Sequence, residues 1–162
     1  MQEVVTMQFI SPSKGIMSFD KVYRDIVDYV NEMPTAKYKL IIGTDSHVRD
    51  DVCFVTAIVV HRVGKGGRYY YCRKRDTKMP SLKQRIFYEA ALSMAVASRL
   101  AEKLSKNGLS EMDIEIHLDI GQNGETKDLI KEIVGMVTGS GFHAEIKPNS
   151  YGASKIADKH SK

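Results

Sequence analysis

Four carboxylates, Asp45, Glu89, Asp119 and Asp158, are spaced in a way that suits hydrolytic chemistry. Asp45 closes an apolar strand run, Glu89 falls inside a long helical pattern, Asp119 closes a second strand run, and Asp158 lies in a short terminal helical segment. Acids delivered by separate elements that converge in space can hold divalent metals, because hard cations such as Mg2+ and Mn2+ take oxygen ligands. A metal pair of this kind activates water, stabilises a leaving oxygen and relieves charge on a phosphodiester undergoing attack. Cys53 and Cys72 form neither a CxxC pair nor a cluster with histidine, so no zinc site or disulfide framework is expected.

Taken singly, each acid has a plainer reading. Asp45 follows Leu40-Ile41-Ile42, and a strand covered on both faces must pair, ligate or expose such a charge; equally, Asp45-Ser46-His47 could begin a turn. His47 shares the side-chain parity of Asp45 and is either an accessory to a site or a satisfied surface histidine. Glu89 lies in one helical row with Leu82 and Val96, close to Leu100, an acid within an apolar stripe. A glutamate at the edge of such a stripe can also reach water. Asp119 lies opposite the apolar face of its strand, with Asp113, Glu115 and His117, just before Gly121. That carboxyl end is where open α/β sheets bind ligands. Asp158 alone would be a solvated terminal charge. The order of the four carries more than any member.

The elements that position them follow from periodicity and punctuation. A short strand is expected over Val4 to Phe9, then a loop at Ser11-Pro12-Ser13-Lys14-Gly15. Ser18 caps a helix with the stripe Phe19, Val22/Tyr23, Ile26, Val30 and Met33, stopped at Pro34. Leu40 to Asp45, Val52 to Val63 and Arg68 to about Arg75 read as three strands joined by turns, hence antiparallel. Ser81 caps a long helix reaching about Lys106, with Asn107-Gly108 as its stop. Ile114 to Ile120 alternates as a strand, and Leu129, Ile130, Ile133, Val134 and Val137 form a helical stripe. Phe142, Ala144 and Ile146 make a last strand, and Pro148-Asn149-Ser150 introduces a last helix.

This β-β-β-α-β-α-β-α order, with acids on the first strand, first long helix, fourth strand and last helix, resembles the ribonuclease H fold. At closer range Gly43-Thr44-Asp45-Ser46-His47, Ser11-Pro12-Ser13 and Leu118-Asp119-Ile120-Gly121 are similar to the uncharacterised bacterial YkuK-like family, predicted to be ribonuclease H-like nucleases. The resemblance covers nearly the whole chain. It implies an α/β fold with a mixed sheet of five strands flanked by helices, three antiparallel and the last two parallel to the first. It also implies that Asp45, Glu89, Asp119 and Asp158 form an acidic tetrad for two Mg2+ or Mn2+ ions, with Asp45 bridging them. With 162 residues, 43% of them hydrophobic, one domain is expected over 1–162: a helical extension at 1–36 and a core at 37–162.

Charge points to the partner. Between Arg62 and Arg85 nine basic residues stand against the single acid Asp76, in a chain whose net charge is only +4. Such a surface releases counterions from a phosphate backbone. Arg73, Lys74, Arg75 and Lys78, with Lys155 near Asp158, are the expected nucleic-acid contacts, with His160 as an accessory. Tyr69, Tyr70 and Tyr71 offer stacking faces for unpaired bases, or else alternate between core and solvent on a basic edge strand. No basic leader or bilayer-length apolar run is present, so a cytoplasmic protein with no membrane partner is expected. A homodimer would suit a two-stranded substrate. The sequence thus reads as a metal-dependent nuclease, with a catalytically silent nucleic-acid-binding module as the alternative. Asp119 to Lys127 superficially resembles a phosphate loop, but ATPases of this topology duplicate it, and the chain is too short for two copies.

Overall fold

A computed structural model describes residues 7–109, 112–122, 124–147, 149, 150, 153, 159 and 160. Its centre is the strand pair β3 (Tyr38–Val48) and β4 (Val52–Arg62), in register from Tyr38 opposite Arg62 to Val48 opposite Val52. β5 (Gly67–Asp76) pairs antiparallel with β4. The β4–β5 turn needs left-handed backbone at Gly64 (φ +76°) and Gly66 (φ +88°), conformations that cost glycine least. The chain then crosses below the sheet in α2 (Leu82–Lys106), whose first turn is capped by the Ser81 hydroxyl accepting from the Gln84 amide at 3.2 Å. It returns as β6 (Asp113–His117), parallel to β3, and after α3 (Ile130–Gly139) as β7 (His143–Glu145), parallel to β6. The five expected core strands are therefore all present in the expected directions.

Two further strands join them. β1 (Gln8–Ser11) and β2 (Gly15–Ser18) form an antiparallel hairpin, and β1 docks on β5 with Ile10 opposite Tyr71. The sheet thus has seven strands in the order β2-β1-β5-β4-β3-β6-β7, where five were expected. The expected strand over Val4 to Phe9 begins instead at Gln8, its first residues lying outside those described. The Ser11–Gly15 segment is a hairpin turn, closed by Lys14 N–H donating to the Ser11 hydroxyl at 3.2 Å and by Gly15 at φ +74°. This hairpin covers the outer edge of β5, which would otherwise present unpaired backbone groups.

α1 (Phe19–Glu32) is capped by Ser18, as its sequence predicts, and buries Phe19, Val22, Tyr23, Ile26, Tyr29 and Val30. One polar residue is buried with them. Asp25 is 5% exposed and bonds to Lys14 and Tyr70, with Arg68 at 3.3 Å. Burial opposes its charge, but the hydrogen bonds from Lys14 and Tyr70 and the two cations outweigh this and hold its pKa below the usual carboxylate value. The extension is thereby pinned to β5.

The sheet has unequal faces. Residues of α1, α2 and α3 all join Leu40, Ile42, Ile58, Val60, Tyr70 and Ile116 in the main core on one face. On the other face a smaller cluster, Ile41, Cys53, Val55, Ala57 and Tyr71, is covered among the described residues by Ala153. No helix among the described residues is long and apolar enough to cross a membrane.

Candidate active site

Strand alternation sorts the candidate residues onto these two faces. Across β3, β4 and β5, Asp45 is aligned with Val55 and Arg73, and His47 with Cys53 and Arg75. These rows lie on the thinly covered face. Ser46 and Thr44 point the other way, toward α2, in rows with Phe54 and Lys74, and with Thr56 and Cys72.

β3 does not stop at Asp45 but runs on to Val48, while the β3–β6 ladder ends at Gly43 opposite His117. Two residues beyond that pair come Asp45, still in β3, and Asp119, just past the end of β6, both at the carboxyl end of the parallel pair. Beyond that point β3 has no ladder partner on the β6 side, and the α2 side supplies Glu89. Its carboxylate accepts from the Ser46 hydroxyl at 2.5 Å. Next to this contact Thr44 is bonded to Ser93 of α2 at 2.8 Å and to Thr56 at 3.0 Å, a polar seam in an otherwise apolar interface. Burial lifts the Glu89 pKa to about 8; the Asp45 and Asp119 charges add to the rise, and the Ser46 bond and Arg85 oppose it. Glu89 therefore feels the charge of both other carboxylates.

Asp119 carries a counterion, the Lys147 ammonium at 2.8 Å. Upstream on the same strand Glu115 is buried and held in its charged form: burial works against it, and hydrogen bonds from Lys39 (3.0 Å) and His117 (3.2 Å) more than compensate. Glu115 and His117 are thus structural neighbours of the site and lie below its mouth.

Beside Asp45 the open face holds a cleft of about 270 Å3 lined by His47, Arg49, Asp51, Arg73, Arg75 and His160. Arg75 pairs with Asp51 at 3.3 Å, and Arg73 donates to the His160 carbonyl at 3.0 Å. The His160 ring stacks on Tyr71, centroids 3.7 Å apart and 10° from parallel; burial, then Lys159 and Arg73, depress its pKa and favour the neutral ring. The three tyrosines divide by parity. Tyr70 is fully buried and bonded to Asp25, so it offers no stacking face, whereas Tyr69 and Tyr71 lie on the cleft side. Lys74 also departs from the basic cluster, since its ammonium sits against the Tyr88 hydroxyl and ring on the α2 side.

Of the sequence-derived candidates, Asp45 and Asp119 lie within electrostatic range of Glu89 near the point where β6 leaves the sheet, and His47, Arg73, Arg75 and His160 line the cleft on the open face. Lys78 is exposed in the loop before α2. Asp158 and Lys155 lie outside the described residues. Among those described, no three His, Cys, Asp or Glu side chains form a ready coordination group. The donor set nevertheless fits a hard divalent cation: all its atoms are carboxylate oxygens, and their mutual repulsion is what an incoming cation would relieve. Ser46 and Lys147 were not among the candidates. Ser46 differs from Asp45 in strand parity, but only its bond to Glu89 shows that this parity faces α2; Lys147, one lysine among many after a strand, carries no sequence signal.

The ribonuclease H-like family model matches residues 21–162. An uncharacterised protein of Bacillus subtilis (strain 168), YkuK, is 36% identical over 169 residues, spanning 95% of this chain and 96% of that protein. No solved structure gives a significant match.

Proposed function

Because the chain belongs to the ribonuclease H-like family, we propose that it is a metal-dependent nuclease that hydrolyses phosphodiester bonds in RNA or DNA. The observation that carries this reading is Glu89, an acid in an apolar helix face whose carboxyl is pushed to about 8 beside two further acids. A fold keeps such a costly arrangement where charge is to be met by a ligand.

Asp45, Glu89 and Asp119, with Asp158 as a fourth, would hold two Mg2+ or Mn2+ ions. When bound, these ions supply a water activated near neutral pH and relief of charge at the scissile phosphate. The protein's own groups orient the rest. Ser46 aims Glu89 across the end of β3 by its 2.5 Å hydrogen bond. Arg73 stands in the row of Asp45, two strands away, a separation of roughly 10 Å from two strand spacings. Arg73 and Arg75 can therefore neutralise phosphates flanking the one at the carboxylates, and His47 lies in the row between the acids and the cleft's end. Phosphate contacts of this type position a strand without reading its sequence.

A second reading, a nucleic-acid-binding module without catalysis, is favoured by the Lys147–Asp119 pair and by the loose grouping of the acids among the described residues. Incubating end-labelled RNA, DNA and hybrid substrates with Mg2+ or Mn2+, and in parallel with EDTA, separates the two. Cleavage abolished by EDTA supports the nuclease; salt-sensitive binding with intact substrates supports the module.

A further inference from the structure

We propose that Lys147 is a tethered cation that occupies a divalent metal's place on Asp119 and is displaced when the metal binds. The proposal rests on the metal-site reading above. Three observations place the ammonium there. The parallel pairing of β6 and β7 continues past both strands, with Leu118 N–H donating to the Glu145 carbonyl and Lys147 N–H to the Ile120 carbonyl, each at 2.8 Å. This sets the Lys147 backbone beside the segment carrying Asp119. Gly121 then leaves room for the lysine stem, because a Cβ at that position would come within 3.1 Å of the Lys147 Cβ. The stem therefore lies over bare backbone and delivers Nζ to Asp119 Oδ1 at 2.8 Å.

The same geometry makes the contact reversible. The Lys147 side chain is 59% exposed, so its ammonium can leave Asp119 for water without burying or stranding a charge. An exposed ion pair contributes little net stability, whereas a divalent ion bound by several carboxylates gains from all of them. In the metal-free protein Lys147 offsets repulsion among Asp45, Glu89 and Asp119 and keeps Asp119 oriented. While it remains nearby it also raises the cost of bringing in a second cation.

The test is direct Mn2+ binding to the metal-free full chain, read from the electron paramagnetic resonance of free Mn2+ at fixed pH and ionic strength, without nucleic acid. Lys147→Met keeps the unbranched stem over Gly121 and removes the charge; Lys147→Arg keeps the charge. Removing one charge a few ångströms from the ion at a water-exposed position should tighten Mn2+ binding about five- to tenfold in Lys147→Met. Lys147→Arg should bind as the wild type does. Unchanged or weaker binding by Lys147→Met, alongside wild-type binding that Asp45→Asn abolishes, overturns the Lys147 proposal and leaves the metal site standing. If neither wild type nor Lys147→Met binds Mn2+, the metal-site reading and the proposal fall together.

Discussion

Replacing Glu89 by glutamine should flatten the pH dependence of folding stability in the metal-free protein. Burial, with help from Asp45 and Asp119, lifts this carboxyl from its ordinary 4.5 to about 8. The unfolded chain releases the proton near the lower value and the folded protein near the higher one. Between them the folded state binds the extra proton, so the stability associated with this group is greatest below 4.5 and is lost as the pH climbs to about 8. At ~1.4 kcal/mol per pH unit that interval sets a ceiling on the order of 4–5 kcal/mol. Structural relaxation and water entry reduce it, and a fall of about 2 kcal/mol or more between pH 5 and pH 8 is expected. Glutamine keeps the shape and can still accept from Ser46 through its amide oxygen, but it has no proton to lose. Urea unfolding in EDTA at several pH values measures both proteins. His143, raised by its hydrogen bond to Glu145, and His160, lowered by burial, titrate in wild type and variant alike, so the difference between the two curves reports Glu89 and its interaction with Asp45 and Asp119. The variant should gain on the wild type as pH rises; parallel curves would refute the electrostatic account of the site.

Two other outcomes follow from the placement of single side chains. Asp25→Ala should cost roughly 2–4 kcal/mol in urea unfolding, because it strands the Tyr70 hydroxyl and the Arg68 guanidinium around a buried position. In the wild type the Asp25 contribution should be lost as pH falls below its ordinary 3.8, since its folded pKa is depressed. Arg73→Ala with Arg75→Ala should weaken nucleic-acid binding across all sequences and lower the salt slope by about two, while Lys74→Ala, whose ammonium sits against Tyr88, should change it far less. Equal effects of all three on a salt titration would show that the two faces do not matter to binding.

Those face assignments mark where the sequence is legible and where it is not. The long helix was readable because Ser81, the apolar stripe and Asn107-Gly108 agree at both ends, and the three antiparallel strands because short glycine and charge-rich turns leave no room for a crossover. The order of Asp45, Glu89 and Asp119 along those elements was readable too. What alternation alone cannot tell is which parity faces the helices. Tyr70 and Tyr71 are equivalent on paper; Asp25, forty-five residues earlier, draws Tyr70 into the core, and Arg73 and Arg75 consequently share a face with Asp45 while Lys74 does not. The β1–β2 hairpin was missed because Gly15–Ser18 is too short to display a period, and Ile16 remains 70% exposed even when paired. Lys147 reaches Asp119 through a strand pairing made across α3, a contact with no local signature.

The measurement that bears most directly on the central claim is cleavage of an end-labelled panel in Mg2+ or Mn2+ by the wild type and by Asp45→Asn side by side. The panel comprises RNA/DNA hybrid, single-stranded RNA and DNA, duplexes and a four-way junction. Asparagine preserves the volume at Asp45 and removes one of the two charges that press on Glu89. The account predicts that the wild type cuts at least one substrate, that EDTA stops it, and that the variant binds that substrate but leaves it intact. Full cleavage by Asp45→Asn, or none by the wild type on any substrate, would contradict it.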